Sequence, residues 1–542
     1  MSSPMCESSL RQFQDYLTRV QALLRADRMA EAAKLSADAI AAGLEHPNLL
    51  TLAAYHHLNA NDDQRAFAHA SRARELAPGN VDVLNAVGSC LAKLGRYQDA
   101  VAIYDEALLY SPNAFMIHFS RGMALEQSGQ VAHAREAYER TLAIRPQHAV
   151  AAARIAYLAA QRGDGATARK HARKALAIDS QQSLASVVLA LADVNDFQFE
   201  RAVEAAQSVV ERPKTQPLTR TIALGILGDA LDGLDRRDDA FKAYRDAGEL
   251  LAATHKQKSG ESALDRVRRL TAFMRQSPVD LWTSDGAQSP VQTHVFLVGF
   301  PRSGTTLLEQ VLAASPSIEA LDEHDTLTES YPFTAKDDAL AEFAAKPSAE
   351  LEEFRTAYWK RVTDAGISLS RPVFVDKMPL NTVVLCLIAK LFPSAKILFA
   401  LRDPRDVVFS CFRRRFGMTR QMYELLTPES AATYYDAVMS LADVYRAKLT
   451  LPFLDTRYED LVLNFEGETR RLCDFLGITY DDAMKQFASN EQLAEIDTPS
   501  VAQVSRGLYT QGMGQWRRYR EQLAPVLPKL EPWVARFGYA EN

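Results

Sequence analysis

Apolar and polar positions along this chain follow two rhythms. Up to about residue 255, apolar residues recur at three- and four-residue spacings in short runs broken by polar turns, the stripe of paired amphipathic helices. From Lys256 to about Gln292 the rhythm fades. HKQKSGESALDRVRRLTAFMRQS reads as a polar turn and one helix, and DGAQSPVQ as a loop. Beyond it, HVFLVGF (His294 to Phe300) is a short apolar run closing around Gly299, which predicts a buried strand. GTTLLEQVLAAS returns to helical spacing. KILFAL (Lys396 to Leu401) again predicts a strand, followed by a turn and a helix. The pattern thus predicts a helical array over residues 1–255, a linker or closing helix over 256–291, and an α/β region over 292–542.

The array is a repeat. Alanine recurs at Ala32, Ala66, Ala100, Ala134, Ala168 and Ala202, always 34 residues apart. Gly95, Gly129 and Gly163 keep the same step, as do Pro78, Pro112 and Pro146. Each position has a physical task. The glycine ends a first helix in a left-handed conformation, the alanine allows two helices to cross closely, and the proline stops the second helix. Three residue types at fixed offsets resemble the tetratricopeptide repeat. Six units keep the period, and a seventh follows a four-residue insertion, with its alanine at Ala240. The first unit starts near Tyr16 and the array ends near His255. The resemblance implies a right-handed solenoid whose concave face binds a protein or peptide, while a purely structural or dimerising role stays open.

Composition narrows the rest. The 542 residues are 47% apolar and 24% charged with a net charge of −6, ordinary for a globular protein and without an overall basic field for nucleic acid or anionic membrane. Five scattered cysteines (Cys6, Cys90, Cys386, Cys411, Cys473) without a C-x-x-C argue against a disulfide framework or a cysteine zinc site, and no His/Asp/Glu grouping has metal-ligand spacing. No apolar run approaches 18 residues, and the start, MSSPMCESSLRQFQDY, lacks a basic-then-apolar leader. A cytoplasmic protein without a membrane span is expected.

Two segments carry chemistry. Between the predicted strand and helix lies Pro301-Arg302-Ser303-Gly304-Thr305-Thr306, a glycine-containing turn onto a helix N-terminus, where free N–H groups cradle a phosphate. It looks like a P-loop, but Thr305 stands where the Walker lysine belongs, and Arg302 offers a cationic fork instead. In KILFALRDPRDVVFSCFRRRFG, Arg402 leaves the strand end, and Ser410 and Arg414 lie four apart on one helix face. Two arginines and a serine beyond a strand suit a second, separate phosphate.

Together these segments resemble the sulfotransferase superfamily, which uses 3′-phosphoadenosine 5′-phosphosulfate, and most of all its protein-tyrosine sulfotransferases and the bacterial sulfotransferases fused to tetratricopeptide repeats. The resemblance covers about residues 292 to 542. It implies a three-layer α/β domain with a mainly parallel sheet after the all-α array. It implies that Arg302, Ser303, Gly304, Thr305 and Thr306 hold the 5′-phosphosulfate, and that Arg402, Ser410 and Arg414 hold the 3′-phosphate. It places the catalytic glutamate at Glu323 in Leu321-Asp322-Glu323-His324-Asp325, a catalytic lysine at Lys377, a nucleotide-contacting tyrosine at Tyr458 and a late serine at Ser500. The family's lysine before a late tryptophan is Gln515 here, ahead of Trp516, with Arg506 and Arg517 as candidate replacements.

The implied reaction passes a sulfuryl group in line to a hydroxyl. Lys377 and Arg302 are the natural pair to stabilise charge on the leaving oxygen. Glu323 is the base selected by motif position, His324 is its rival, and Asp322 comes third. No metal is required. The leading expectation is a sulfotransferase acting on a protein acceptor. Carbohydrate, lipid and small hydroxylated acceptors stay open, as do a P-loop kinase, a non-catalytic scaffold and a homodimer.

Overall fold

The 34-residue period reappears in the helix boundaries. In the computed structural model, which describes residues 7–254, 260–284, 288–414, 418–489 and 510–540, first helices of successive pairs start at Pro47, Val81, Phe115, Ala149, Ser183 and Pro217. Ala32, Ala66, Ala100, Ala134, Ala168, Ala202 and Ala240 are all essentially solvent-free, as expected where helices cross without room for a larger side chain. Second helices end at Leu76, Tyr110 and Ile144, two residues before Pro78, Pro112 and Pro146.

The turn inside each pair needs a left-handed residue. Gly95, Gly129 and Gly163 supply it, and Asp27, Asn61, Phe197 and Asp235 take the same conformation at the corresponding places. Asp and Asn tolerate it through their short polar side chains, whereas a bulky Phe197 pays steric strain. A second rule governs the helix faces. Gly88, Gly122 and Gly228 lie under the rings of Tyr104, Tyr138 and Tyr244, and an added Cβ would sit 2.4–2.7 Å from ring carbons. One period on from Gly122 and Tyr138 the same two places hold Ala156 and Ala172, both buried. A tyrosine ring is thus accommodated only where the facing residue is glycine, and where the ring is absent an alanine pair suffices.

The insertion before the seventh alanine lengthens one helix. Pro217–Gly233 has 17 residues where Val81–Lys93 and Phe115–Gln127 have 13. The glycine under the tyrosine moves from the eighth residue of the helix to the twelfth. The added turn therefore lies at its N-terminal end, where Arg220 Nη2 donates to the Arg212 carbonyl at 2.6 Å.

Two compact units divide the chain. The first comprises Met1–Ala160 with Asp164–Ala192, and its main core runs from Ala54 to Val188 through buried alanines, leucines and valines. The second comprises Gln161–Gly163 with Asp193–Asn542 and so includes the last helical pair. Its centre is a five-stranded, wholly parallel sheet in the order β2-β3-β1-β4-β5. The strands are β1 Thr293–Gly299, β2 Ile318–Asp322, β3 Val373–Lys377, β4 Lys396–Leu401 and β5 Phe453–Arg457. Alternate residues of β1 enter opposite cores: Phe296 and Val298 one, Val295 and Leu297 the other. Burial on both faces is why the strand reads as a continuous apolar run.

Helix Ala263–Gln276 packs on the long helix Pro428–Lys448 of the same unit, burying Val267, Leu270 and Met274. Within this unit the last helical pair also meets the helix that follows β4. Phe241 and Phe412 lie 4.9 Å apart by ring centroid, and Tyr519 Oη donates to Asp232 at 2.8 Å.

Phe197→Gly removes the left-handed strain of a side chain that is 73% exposed and covers little. It is expected to raise stability by about 1 kcal/mol, the steric cost less the added freedom of the unfolded chain. Chemical denaturation of the two proteins measures this.

Candidate active site

Parallel strands bring all five carboxyl ends to one edge, and each end delivers a candidate residue. Counting across the sheet, β2 ends in Asp322 with Glu323 next, β3 ends in Lys377, β1 leads into the Arg302 loop, β4 leads into Arg402, and β5 leads into Tyr458. Asp322 and Lys377 are register partners, as are Leu401 and Arg457. Such an edge is where open parallel sheets bind ligands.

The loop after β1 is held from several sides. Gly299 lies against β4, where a Cβ would approach the Ala400 carbonyl oxygen to 2.6 Å, and its own carbonyl accepts from Thr382 Oγ1 at 2.9 Å. Arg302 has φ of +71°, a left-handed non-glycine conformation. Gly304, at φ +92°, precedes helix Thr305–Ala313 and brings no side chain to cap it. Ser303, Thr305 and Thr306 are buried beside it. This geometry leaves a helix N-terminus available for an anion.

The second constellation converges on this loop. Arg302 Nε donates to Ser410 Oγ at 3.0 Å. Arg402 Nη1 donates to the Arg302 carbonyl at 3.2 Å, Arg402 Nη2 donates to the Gly512 carbonyl, and its guanidinium lies 4.9 Å from the centre of the Tyr458 ring. The Tyr458 ring also covers Gly304, where a Cβ would come within 2.8 Å of it. Arg402 is buried, and its Nε has no acceptor among the described residues. An under-satisfied buried guanidinium beside an uncapped helix fits an anionic ligand.

Arg414 takes a different direction: its Nη1 lies 3.5 Å from Asp229 Oδ2 on helix Pro217–Gly233, and Asp229 Oδ1 accepts from Tyr244 Oη at 2.8 Å. Ser500 and Arg506 lie outside the described residues. Gln515 sits between Gly514 and Trp516, whose N–H groups both donate to buried Asp406, at 2.6 and 2.9 Å. Arg517 stands over the Trp516 ring at 5.3 Å.

At the β2–β3 side, Lys377 is fully buried and its Nζ pairs with Asp322 and, at 2.9 Å, with Glu323 Oε1. Burial alone would lower this lysine, but the carboxylates of Glu323, Asp322 and Glu309 outweigh it and hold the ammonium above its ordinary range. Glu323 is 41% exposed and has φ of +43°, so the side chain meets solvent from a strained backbone. The peptide is pinned there by Glu323 N–H donating to the Lys377 carbonyl at 2.8 Å. His324 folds back, with Nδ1 2.6 Å from the Asp322 carbonyl oxygen.

Sequence reading passed over several residues here. Glu309, one turn into the helix after the phosphate-type loop, is 3% exposed, and its Oε2 has no hydrogen-bond partner among the described residues. Burial pushes its carboxyl up to about 7, against the pull of Lys377 and aided by Asp322. A lone acid inside the apolar run TTLLEQVLAAS was the available signal. LRDPRD after β4 holds more than Arg402. Asp403 N–H donates to Glu459 at 3.1 Å, and Arg405 pairs with Asp403 at 2.8 Å, donates to the Ala540 carbonyl and stacks 4.0 Å from Trp516.

The comparisons with known proteins fall on these segments. Residues 294–482 match the model of the Sulfotransferase family, and residues 88–149 match a model of the tetratricopeptide repeat. The first match contains β1 to β5 and the candidate residues from Arg302 to Tyr458. An uncharacterized protein of Aquifex aeolicus is 23% identical over 64% of this chain, which spans 46% of that relative. Protein-tyrosine sulfotransferase A of Caenorhabditis elegans is 24% identical, with 56% of this chain and 81% of the relative covered. Protein-tyrosine sulfotransferase 1 of Danio rerio is 24% identical, over 45% and 72%. The family match and these relatives support a sulfotransferase, a transferase class of enzyme.

The buried acid predicts a pH signature. Glu309 keeps its proton in the folded state to about pH 7, whereas the unfolded chain releases it near 4.5. Between those values the native protein binds more protons, so this group's contribution to stability falls as pH rises. The stability difference between wild type and Glu309→Gln should therefore move by about 3 kcal/mol in the variant's favour from pH 4.5 to pH 8. Denaturant unfolding of both proteins across that range reads it.

Proposed function

We propose that this protein transfers the sulfuryl group of 3′-phosphoadenosine 5′-phosphosulfate to a hydroxyl of a protein acceptor, of the tyrosine type, presented with the help of the helical repeats in the cytoplasm. One observation carries the reading: the spatial order of the strand ends. Base candidate, lysine, phosphate-type loop, Arg402 and Tyr458 follow one another across the sheet, an order that suits a donor laid along it with its sulfuryl group toward the carboxylates, its 5′-phosphate at the loop and its ribose, which carries both the 3′-phosphate and the base, toward β4 and β5.

The donor supplies the sulfuryl group and a phosphate leaving group. The helix N-terminus after Gly304, with Ser303, Thr305 and Thr306, holds the 5′-phosphosulfate. Arg402 and Ser410 hold the 3′-phosphate. Glu323 accepts the acceptor's proton as the new oxygen–sulfur bond forms. The bond between sulfur and the bridging oxygen breaks, and its electron pair stays on the phosphate, where Lys377 and Arg302 meet the growing charge. The exposure of Glu323 beside a buried, charged Lys377 supports this division of labour. A carboxylate that faces solvent reaches an incoming acceptor, and an enclosed ammonium acts in low dielectric. The acceptor being a protein rests on the repeats and on the names of the relatives.

Adenosine 3′,5′-bisphosphate should bind more tightly than adenosine 5′-phosphate by calorimetry. Arg402→Ala should remove about 1.5–3 kcal/mol of that preference, the scale of a charge-assisted hydrogen bond. Equal affinities for the two nucleotides in the wild type would overturn the donor assignment.

Glu323→Gln should lower turnover by about 10²–10⁴ while leaving nucleotide affinity within twofold, because this side chain serves the acceptor. Transfer of radiolabelled sulfate from the donor into extract proteins, alongside His324→Ala, is the measurement. A dead His324→Ala with an active Glu323→Gln would move the base to the histidine.

A further inference from the structure

Next to Lys377 on β3 lies Asp376, whose side chain is solvent-free. Its Oδ2 accepts two hydrogen bonds of equal length. Tyr358 Oη donates at 2.8 Å and Thr326 Oγ1 donates at 2.8 Å. Tyr358 belongs to helix Ser348–Asp364, and its oxygen lies 2.8 Å from Nε2 of buried His294 on β1. Burial drives His294 down to about 3, so the ring stays neutral and this network carries no cation of its own. Thr326 sits three residues beyond Glu323 and is itself 1% exposed. Besides the Lys377 ammonium on Asp322 and Glu323, the segment from Asp322 to Thr326 is fastened to β3 by the Glu323 N–H on the Lys377 carbonyl and by the Thr326 hydroxyl on Asp376. Between the two fastenings lies a non-glycine residue at φ +43°, a conformation the chain leaves unless its surroundings enforce it.

We infer that Asp376 and Thr326 are positioning residues: the Thr326 hydroxyl on the Asp376 carboxylate holds the 322–326 segment so that Glu323 stands strained beside Lys377 and open to the acceptor. The inference deepens the proposed reaction and rests on Glu323 as its base. It gives a task to a carboxylate kept in the core one residue from Lys377. Successive strand residues face opposite sides, so β3 presents Lys377 to one side and, with Asp376, anchors from the other the loop that answers it.

Two substitutions separate positioning from mere stability, because each deletes one of the two equal hydrogen bonds to the same carboxylate. In the full-length protein, Thr326→Val frees the loop and Tyr358→Phe leaves it tied. Amide hydrogen exchange at Glu323 and His324 should quicken about tenfold or more in Thr326→Val relative to β3 amides. It should follow the β3 amides in Tyr358→Phe and return toward wild type in Thr326→Ser. Turnover should fall about 10- to 100-fold in Thr326→Val, in kcat and not in KM, with adenosine 3′,5′-bisphosphate affinity within twofold. Thr326→Ala, which also removes the hydroxyl, gives the same exchange comparison if Thr326→Val does not accumulate folded. Wild-type protection of the loop in Thr326→Val, or equal loosening in Tyr358→Phe, overturns the inference. Absence of donor turnover in the wild type would count against the proposed reaction alone, since the exchange comparison needs no substrate.

Discussion

The parallel run of the five strands is the constraint on which the site depends. Hydrogen-bonded register fixes where each strand stops, so residues drawn from separate places in sequence stand in one row. Asp322 opposite Lys377 and Leu401 opposite Arg457 follow from backbone pairing alone. Side chains then need to be correct only over the last few ångströms. Both faces of the sheet are buried, which gives the row a rigid support.

On that support the chain places strain and clamps. Arg302 and Glu323 take left-handed conformations without being glycines, in the loop after β1 and at the residue after β2. Each is fixed by neighbours: Arg402 on the carbonyl of Arg302, and Lys377 on the N–H of Glu323. LRDPRD extends the same principle. Arg402, Asp403, Arg405 and Asp406 each hold a segment far along the chain, at Gly512, Glu459, Ala540 and Gly514. A short charged motif that reads as a surface turn is a buried junction, and its charges are tolerated because they are paired or hydrogen-bonded.

Much of this was legible in sequence because it obeys short-range rules. Helix crossing selects alanine, a left-handed turn selects glycine, and buried parallel strands select apolar runs. Phe197 was invisible to such rules, because strain at one turn can be carried by the rest of its repeat. The extra turn of Pro217–Gly233 showed only as a four-residue shift of Ala240. Arg302 and Arg402 could be placed at the sheet edge because each follows closely on a strand end, with Ser410 on the helix after Arg402, whereas the bond from Arg302 to Ser410 had no signal in sequence. Glu309 and Asp376 could not be singled out, because an acid in an apolar stretch reveals its neighbours only after folding. The turn of Arg414 toward Asp229 had no local signal either, since its partner lies 185 residues away.

The charges along the sheet edge are not evenly spread. Arginines gather at the β1–β4 side, while Asp322 and Glu323 share one lysine at the β2–β3 side. On the proposed reading, a neutral hydroxyl arrives among those carboxylates and leaves as a sulfate ester with a permanent negative charge. Glu323 is neutral while it holds the acceptor's proton; once that proton passes to solvent, its carboxylate and that of Asp322 repel the ester. Product ejection is thus built into the asymmetry: the spent nucleotide stays with the cations, and the modified acceptor is pushed away once it is made.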